Sequence, residues 1–133
     1  MKNALLLSIA LLTILTAFPA QAEGKKRIFL FVGEPNATAW KILIENPADR
    51  EASMSKAIAK LGGEMLSYYW GLGDGKNYIT IALPDDNELI QAVYVTRLGD
   101  DLLKSYEAIE VMSSKDMTSA LKRVKDVKAF DDM

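Results

Sequence analysis

The side chains best suited to form a site are aromatic and lie close together in the sequence. Tyr68, Tyr69 and Trp70 end one β-type segment, and Tyr78 lies at the start of the next. Alternation along a strand sends Tyr68 and Trp70 to one face and Tyr69 to the other. Such residues predominate in cores and subunit interfaces, and they also provide walls and a hydrogen bond for a small hydrophobic or aromatic ligand. Trp40 is a further candidate for the ligand site or interface.

Asp74 is the acidic residue nearest to this aromatic cluster. The step Asp74-Gly75 lies between two β-rich segments, which is typical of a hairpin turn. Asp74 therefore has two interpretations, as a residue that forms the turn or as part of a ligand site. The neighbouring pattern Gly71-x-Gly73-x-Gly75 lies within the hairpin and not between a strand and a helix, so it is a poor nucleotide-binding motif.

The composition excludes several kinds of chemistry. The chain has 133 residues, no Cys and no His. It therefore has no thiolate nucleophile, disulfide, Ser-His-Asp triad or His-ligated metal. A formal net charge of −2 argues against nucleic acid as a main partner. We expect no cofactor.

The N-terminus has the pattern of a secretory signal peptide. Lys2 precedes 15 uncharged residues at positions 4–18, and Ala20-Gln21-Ala22 has the A-x-A form of a cleavage site. The apolar segment is shorter than the ~20 residues that span a bilayer. We therefore expect residues 1–22 to be removed, no stable membrane anchor after cleavage, and a periplasmic or secreted bacterial protein.

Hydrophobic periodicity predicts alternating strands and helices in one α+β domain over residues 23–128, followed by a frayed tail at 129–133. The order is β-α-β-β-α-β with a further C-terminal helix, which is typical of the ferredoxin-like fold with helices on one face of an antiparallel sheet. We expect a short helical turn within 39–45 and strands at 28–32, 64–70, 77–83 and 104–112. The uncovered sheet face predicts a homodimer, with two sheets forming an α+β barrel.

Several short segments resemble the GYD-domain family of small bacterial proteins. The similarity lies in Leu61-Gly62-Gly63 before the second strand, in Tyr69-Trp70 within it, and in Pro84-Asp85-Asp86 after the third. It extends over about residues 28–124. The naming motif departs from the family pattern, because Gly73-Asp74-Gly75-Lys76-Asn77-Tyr78 is one residue longer and lacks the motif tyrosine. The resemblance implies a fold and dimerisation, and it implies no activity.

Three functions are compatible with these observations. The first is an exported, non-catalytic homodimer or binder of a small hydrophobic or aromatic ligand. The second is a cofactor-independent oxygenase or isomerase that works with Tyr, Trp, Asp or Glu. The third is an interaction subunit that binds another protein through its open sheet face or its basic last helix. A polar residue pointing into an enclosed cavity would favour the enzyme, and a tightly filled barrel would favour a structural role.

Overall fold

A computed structural model describes residues 24–129 as an α+β protein of ferredoxin-like fold. A four-stranded antiparallel sheet has the order β2-β3-β1-β4. The elements in chain order are β1 (Lys26–Pro35), α1 (Ala37–Glu45), α2 (Arg50–Lys60), β2 (Glu64–Trp70), β3 (Asn77–Pro84), α3 (Asn87–Gly99), β4 (Leu103–Val111), α4 (Ser114–Lys122) and α5 (Val124–Lys128). The predicted fold class is thus confirmed.

The core lies between one face of the sheet and the helices. Alternate residues of β1 and β3 are buried there, and α2 contributes Ile58. Leu83 has no exposed surface. The buried cluster comprises Phe29, Phe31, Ile58, Ile79, Ile81 and Leu83, and Met54 of α2 and Val93 of α3 pack against it. Because α2 and α3 both cover this face, their side chains enclose a common space above the sheet.

The opposite face of the sheet carries the other alternate residues of β1 and β4. Ile28 pairs with Val111 and Leu30 pairs with Ile109, so these four side chains lie on one face. Ile109 is 39% exposed and Val111 is 37% exposed. We call this surface the open face.

The segment before α2 is more helical than its sequence indicates. We predicted a short helical turn within 39–45, whereas α1 is a nine-residue helix that begins at Ala37. The Asn36 side chain accepts a hydrogen bond from the Ala39 amide at 2.9 Å and donates one to the Asp101 carbonyl at 2.7 Å. The second bond joins residues that are distant in sequence, so the local pattern gives little sign of this cap. The helix that follows begins with Asp49 as its N-cap.

The C-terminal segment differs in part from the single helix that we predicted. The Ser113 side chain caps α4 by accepting a hydrogen bond from the Asp116 amide, but the helix is interrupted at Arg123 before α5. Met117, Leu121 and Val127 are exposed by 48%, 61% and 65%. Their apolar stripe therefore remains largely uncovered in the single chain.

The predicted signal peptide at 1–22, with its cleavage residues Ala20 and Ala22, lies outside the described residues, as does most of the tail predicted at 129–133. Within residues 24–129, no helix has both the length and the apolar character needed to cross a membrane.

Candidate ligand cavity

A partly open cavity of about 370 Å³ lies between the sheet and its helices. Ligand pockets commonly have volumes of ~300–1,000 Å³ and apolar walls. Side chains from all four strands and three helices line this one, including Phe31, Ala39, Leu43, Met54, Ile58, Tyr68, Trp70, Ile79 and Tyr106. The volume and the walls suit a small apolar molecule.

An irregularity in β2 directs two of the predicted aromatic residues toward the cavity. The pairing register with β3 shifts between Met65 and Ser67, so that Tyr68 pairs with Ile79. A bulge of one residue reverses the faces of all the side chains that follow it in the strand. Tyr68 and Trp70 therefore lie on the same face as the buried Ile79, and both line the cavity.

Trp40 of α1 belongs to the same aromatic group. Its ring centroid is 5.6 Å from that of Trp70, and the Trp70 centroid is 5.9 Å from that of Tyr68. These distances are typical of favourable aromatic pairs. The structure therefore brings together three of the candidates, Trp40, Tyr68 and Trp70, of which Tyr68 and Trp70 line the cavity.

Tyr69 and Tyr78 lie on the other face of the sheet. They are direct partners across β2 and β3, and Tyr69 is 69% exposed. The Tyr78 hydroxyl donates a 2.5 Å hydrogen bond to the Asp74 carboxylate. The six candidates thus form two groups on opposite faces, and the second group is remote from the cavity walls.

Asp74 organises the turn between β2 and β3. Its carboxylate accepts a hydrogen bond from the Lys76 amide at 2.9 Å as well as the one from Tyr78. These bonds hold the pKa of Asp74 below its usual value and raise that of Tyr78. A Cβ atom at Gly71 would lie 2.1 Å from an Asp74 carboxylate oxygen, so a larger residue there would displace the Asp74 side chain from this position. Turn formation accounts for all of these contacts.

The polar groups of the cavity come from both the sheet and the helices. Asn77 donates a hydrogen bond to the Tyr68 hydroxyl at 3.4 Å. Arg97 and Asp100 form an ion pair at 3.4 Å, and Arg50 also lines the cavity. Burial raises the pKa of Tyr68, so its hydroxyl stays protonated at neutral pH.

Tyr106 is a cavity residue that our sequence analysis missed. Its ring stacks between Phe31 and Tyr94, with centroid distances of 5.7 Å and 5.2 Å. Burial raises its pKa strongly. Alternation along β4 was the available signal, because Tyr106 lies two residues before Ala108, which pairs with the core residue Phe31.

Arg50 and Arg97 were also missed. Each lies in line with the apolar stripe of its own helix, since Arg50 lies four residues before Met54 and Arg97 lies four residues after Val93. Residues at this spacing share one face of a helix. The spacing places each arginine on the cavity side, but only the fold shows that the two helices meet there.

Comparison with known proteins adds no family assignment. No family model matches this chain, and no curated protein matches it either. Within the described residues, no group of three or more acidic side chains is placed to hold a metal ion. The fold and the site thus define an α+β protein of ferredoxin-like fold with an apolar cavity between its sheet and its helices.

Proposed function

We propose that this protein binds a small apolar molecule in the cavity between the sheet and the helices. The observation that carries the proposal is the cavity itself, which has a volume of about 370 Å³ and is lined by aromatic and aliphatic side chains. Burial of an apolar ligand against these side chains would remove apolar surface of both from water, which is favourable. The signal-peptide pattern supports an exported binder, and the short GYD-like segments support its assignment to that family.

Binding is better supported than catalysis by the chemistry of the walls. Burial raises the pKa values of the cavity-lining tyrosines Tyr68 and Tyr106, so both stay protonated at neutral pH and are not available as bases. Asp100 is the one carboxylate among the described lining residues, and its weak ion pair with Arg97 leaves it as the single candidate base there. A general base needs a free acceptor within reach of the substrate. The oxygenase or isomerase alternative therefore has less support.

Fluorescence of the neutral dye N-phenyl-1-naphthylamine tests the proposal. The dye is weakly fluorescent in water and brightens in apolar surroundings. We expect saturable binding of one dye per chain, with energy transfer from the two tryptophans. Leu43→Gln should weaken binding because Leu43 lines the cavity. Leu72→Gln is the matched control, because Leu72 is fully exposed in the hairpin. A signal that never saturates, or equal effects of the two variants, would contradict the proposal.

A second proposal, homodimerisation through the open face, rests on a different observation. Ile109, Val111 and Tyr69 expose apolar surface on that face, and an apolar patch of this kind is typical of an interface. Sedimentation should give twice the mass of the single chain. Ile109→Glu should yield a monomer, whereas Leu98→Glu, at an exposed site on α3, should leave the dimer intact. A monomeric unmodified protein would refute this second proposal alone.

A further inference from the structure

We infer that the ligand of the cavity is an apolar monocarboxylate whose anionic head lies against Arg50 and Arg97. The inference rests on the proposed function and adds the chemical class of the ligand. It is carried by three hydrogen-bond donors at the cavity, two of them charged, and by an apolar region beside them.

Arg50 provides the first observation. It is the first residue of α2, and its side chain lines the cavity. The Nε atom is buried and has no hydrogen-bond partner among residues 24–129. A guanidinium group stays charged at all ordinary pH values, and a buried donor without an acceptor is costly. Nε has almost no accessible surface, so a ligand oxygen in the cavity would meet the terminal nitrogens of the same guanidinium group.

Arg97 provides the second positive charge. Its ion pair with Asp100 uses one terminal nitrogen at 3.4 Å, and both side chains are more than a third exposed. Such a pair is weak, and the planar guanidinium has five N–H donors in all. Arg97 therefore retains donors for an anion while it remains paired with Asp100.

The Tyr68 hydroxyl is the third donor. Because it already accepts a hydrogen bond from Asn77, its own proton is available to an acceptor. Burial raises its pKa; the positive charges of Arg97 and Arg50 oppose that rise, and the negative charge of Asp49 adds to it. Both arginines thus lie near enough to act on this hydroxyl. Three donors around one region match the oxygens of an anion.

The charge of the walls favours a monoanion. The cavity is lined by two arginines and one aspartate, in a chain whose formal net charge is −2. One negative charge on the ligand neutralises this excess. Phe31, Met54 and Ile58 line the apolar remainder of the cavity. A carboxylate with a hydrocarbon or aromatic body fits both parts.

Displacement of bound N-phenyl-1-naphthylamine by decanoate and by decan-1-ol tests the inference. The two compounds share a ten-carbon chain and differ in the charge of the head group. Hydrogen bonds to charged groups contribute enough for about a tenfold effect or more. We expect decanoate to displace the dye at a concentration at least about tenfold lower than decan-1-ol.

Variants show whether the arginines cause this preference. Arg50→Gln and Arg97→Gln should each reduce the preference for decanoate and leave displacement by decan-1-ol unchanged, which also shows that the cavity is intact. Arg123→Gln is the control for net charge, because Arg123 lies between α4 and α5 and does not line the cavity. If Arg50→Gln does not fold, Arg97→Gln and the unmodified protein still decide the question.

Binding in the cavity and the charge of the ligand are tested by different outcomes. If the dye binds but decanoate is no better than decan-1-ol, the ligand is not an anion and the proposed function stands. If the preference exists but Arg123→Gln reduces it as much as Arg50→Gln does, general attraction explains it and the inference is overturned. If the dye does not bind at all, the proposed function itself fails.

Discussion

Filling the cavity from α1 should stabilise the protein and weaken ligand binding at the same time. Ala39 lines the cavity and is 8% exposed, so a larger side chain there cannot turn to solvent. Ala39→Leu adds three carbon atoms, each worth at most ~0.8 kcal/mol when buried, and fixing the leucine rotamer costs ~0.5–1 kcal/mol. Because the cavity is partly open, we expect a net gain of about 1 kcal/mol in the free energy of unfolding.

Urea denaturation and dye titration measure the two effects. Ala37→Leu is the matched control, because Ala37 is exposed at the start of the same helix and does not line the cavity. Ala37→Leu should change neither the free energy of unfolding nor the affinity for the dye. A gain of ~1 kcal/mol raises the melting temperature of a domain of this size by ~4–8 °C. If this region were instead filled, Ala39→Leu would destabilise the protein by ~1–3 kcal/mol through overpacking, and our reasoning would be refuted.

Three further predictions concern the core, the response to acid and the hairpin. Leu83→Ala should cost ~3–5 kcal/mol of unfolding free energy, because Leu83 is fully buried, whereas Leu98→Ala should cost less than ~1 kcal/mol. Glu110 has a pKa below its ordinary value of 4.5 because Arg27 donates two hydrogen bonds to its carboxylate. The contribution of Glu110 to the free energy of unfolding is therefore present above pH 4.5 and is lost as the pH falls through the lowered pKa. Asp74→Asn should lower the pKa of Tyr78 toward its ordinary value of 10.0, which absorbance at 295 nm measures.

Each of these predictions has a defined contradiction. Equal losses in the Leu83 and Leu98 variants by urea denaturation would mean that the core lies elsewhere. For Glu110, urea denaturation gives the difference in unfolding free energy between pH 7 and pH 3.5, and this difference should be smaller in Glu110→Gln than in the unmodified protein. An unchanged difference would show that the ion pair of Glu110 does not contribute. An unaltered phenol titration in Asp74→Asn would show that the hairpin hydrogen bond does not form in solution.

The sequence predicted β2 well because glycines mark both of its ends. Gly62-Gly63 precedes the strand and Gly71 follows it, and the observed bounds are those predicted. The prediction was poorer for β1, which extends from Lys26 to Pro35 instead of from 28 to 32. Polar and glycine residues at its ends pair with β3 and β4, and this pairing is a property of the sheet that no local pattern contains.

The site shows the same division between local and long-range information. Alternation correctly grouped Tyr68 with Trp70, but the register shift between Met65 and Ser67 decides which face they occupy. Arg50 belongs to a different helix from Arg97, and only the packing of α2 and α3 over one sheet face brings both to the cavity. Residue types therefore indicated an aromatic site, and the fold supplied its charged part.

Nuclear Overhauser effects between bound decanoate and the protein methyl groups would locate the ligand in the molecule. We expect contacts from the alkyl chain to Met54 and Ile58, which line the cavity. Ile109 and Val111, on the open face, should show none. Contacts to Ile109 and Val111 in place of those to Met54 and Ile58 would place the binding site on the open face and refute binding in the cavity.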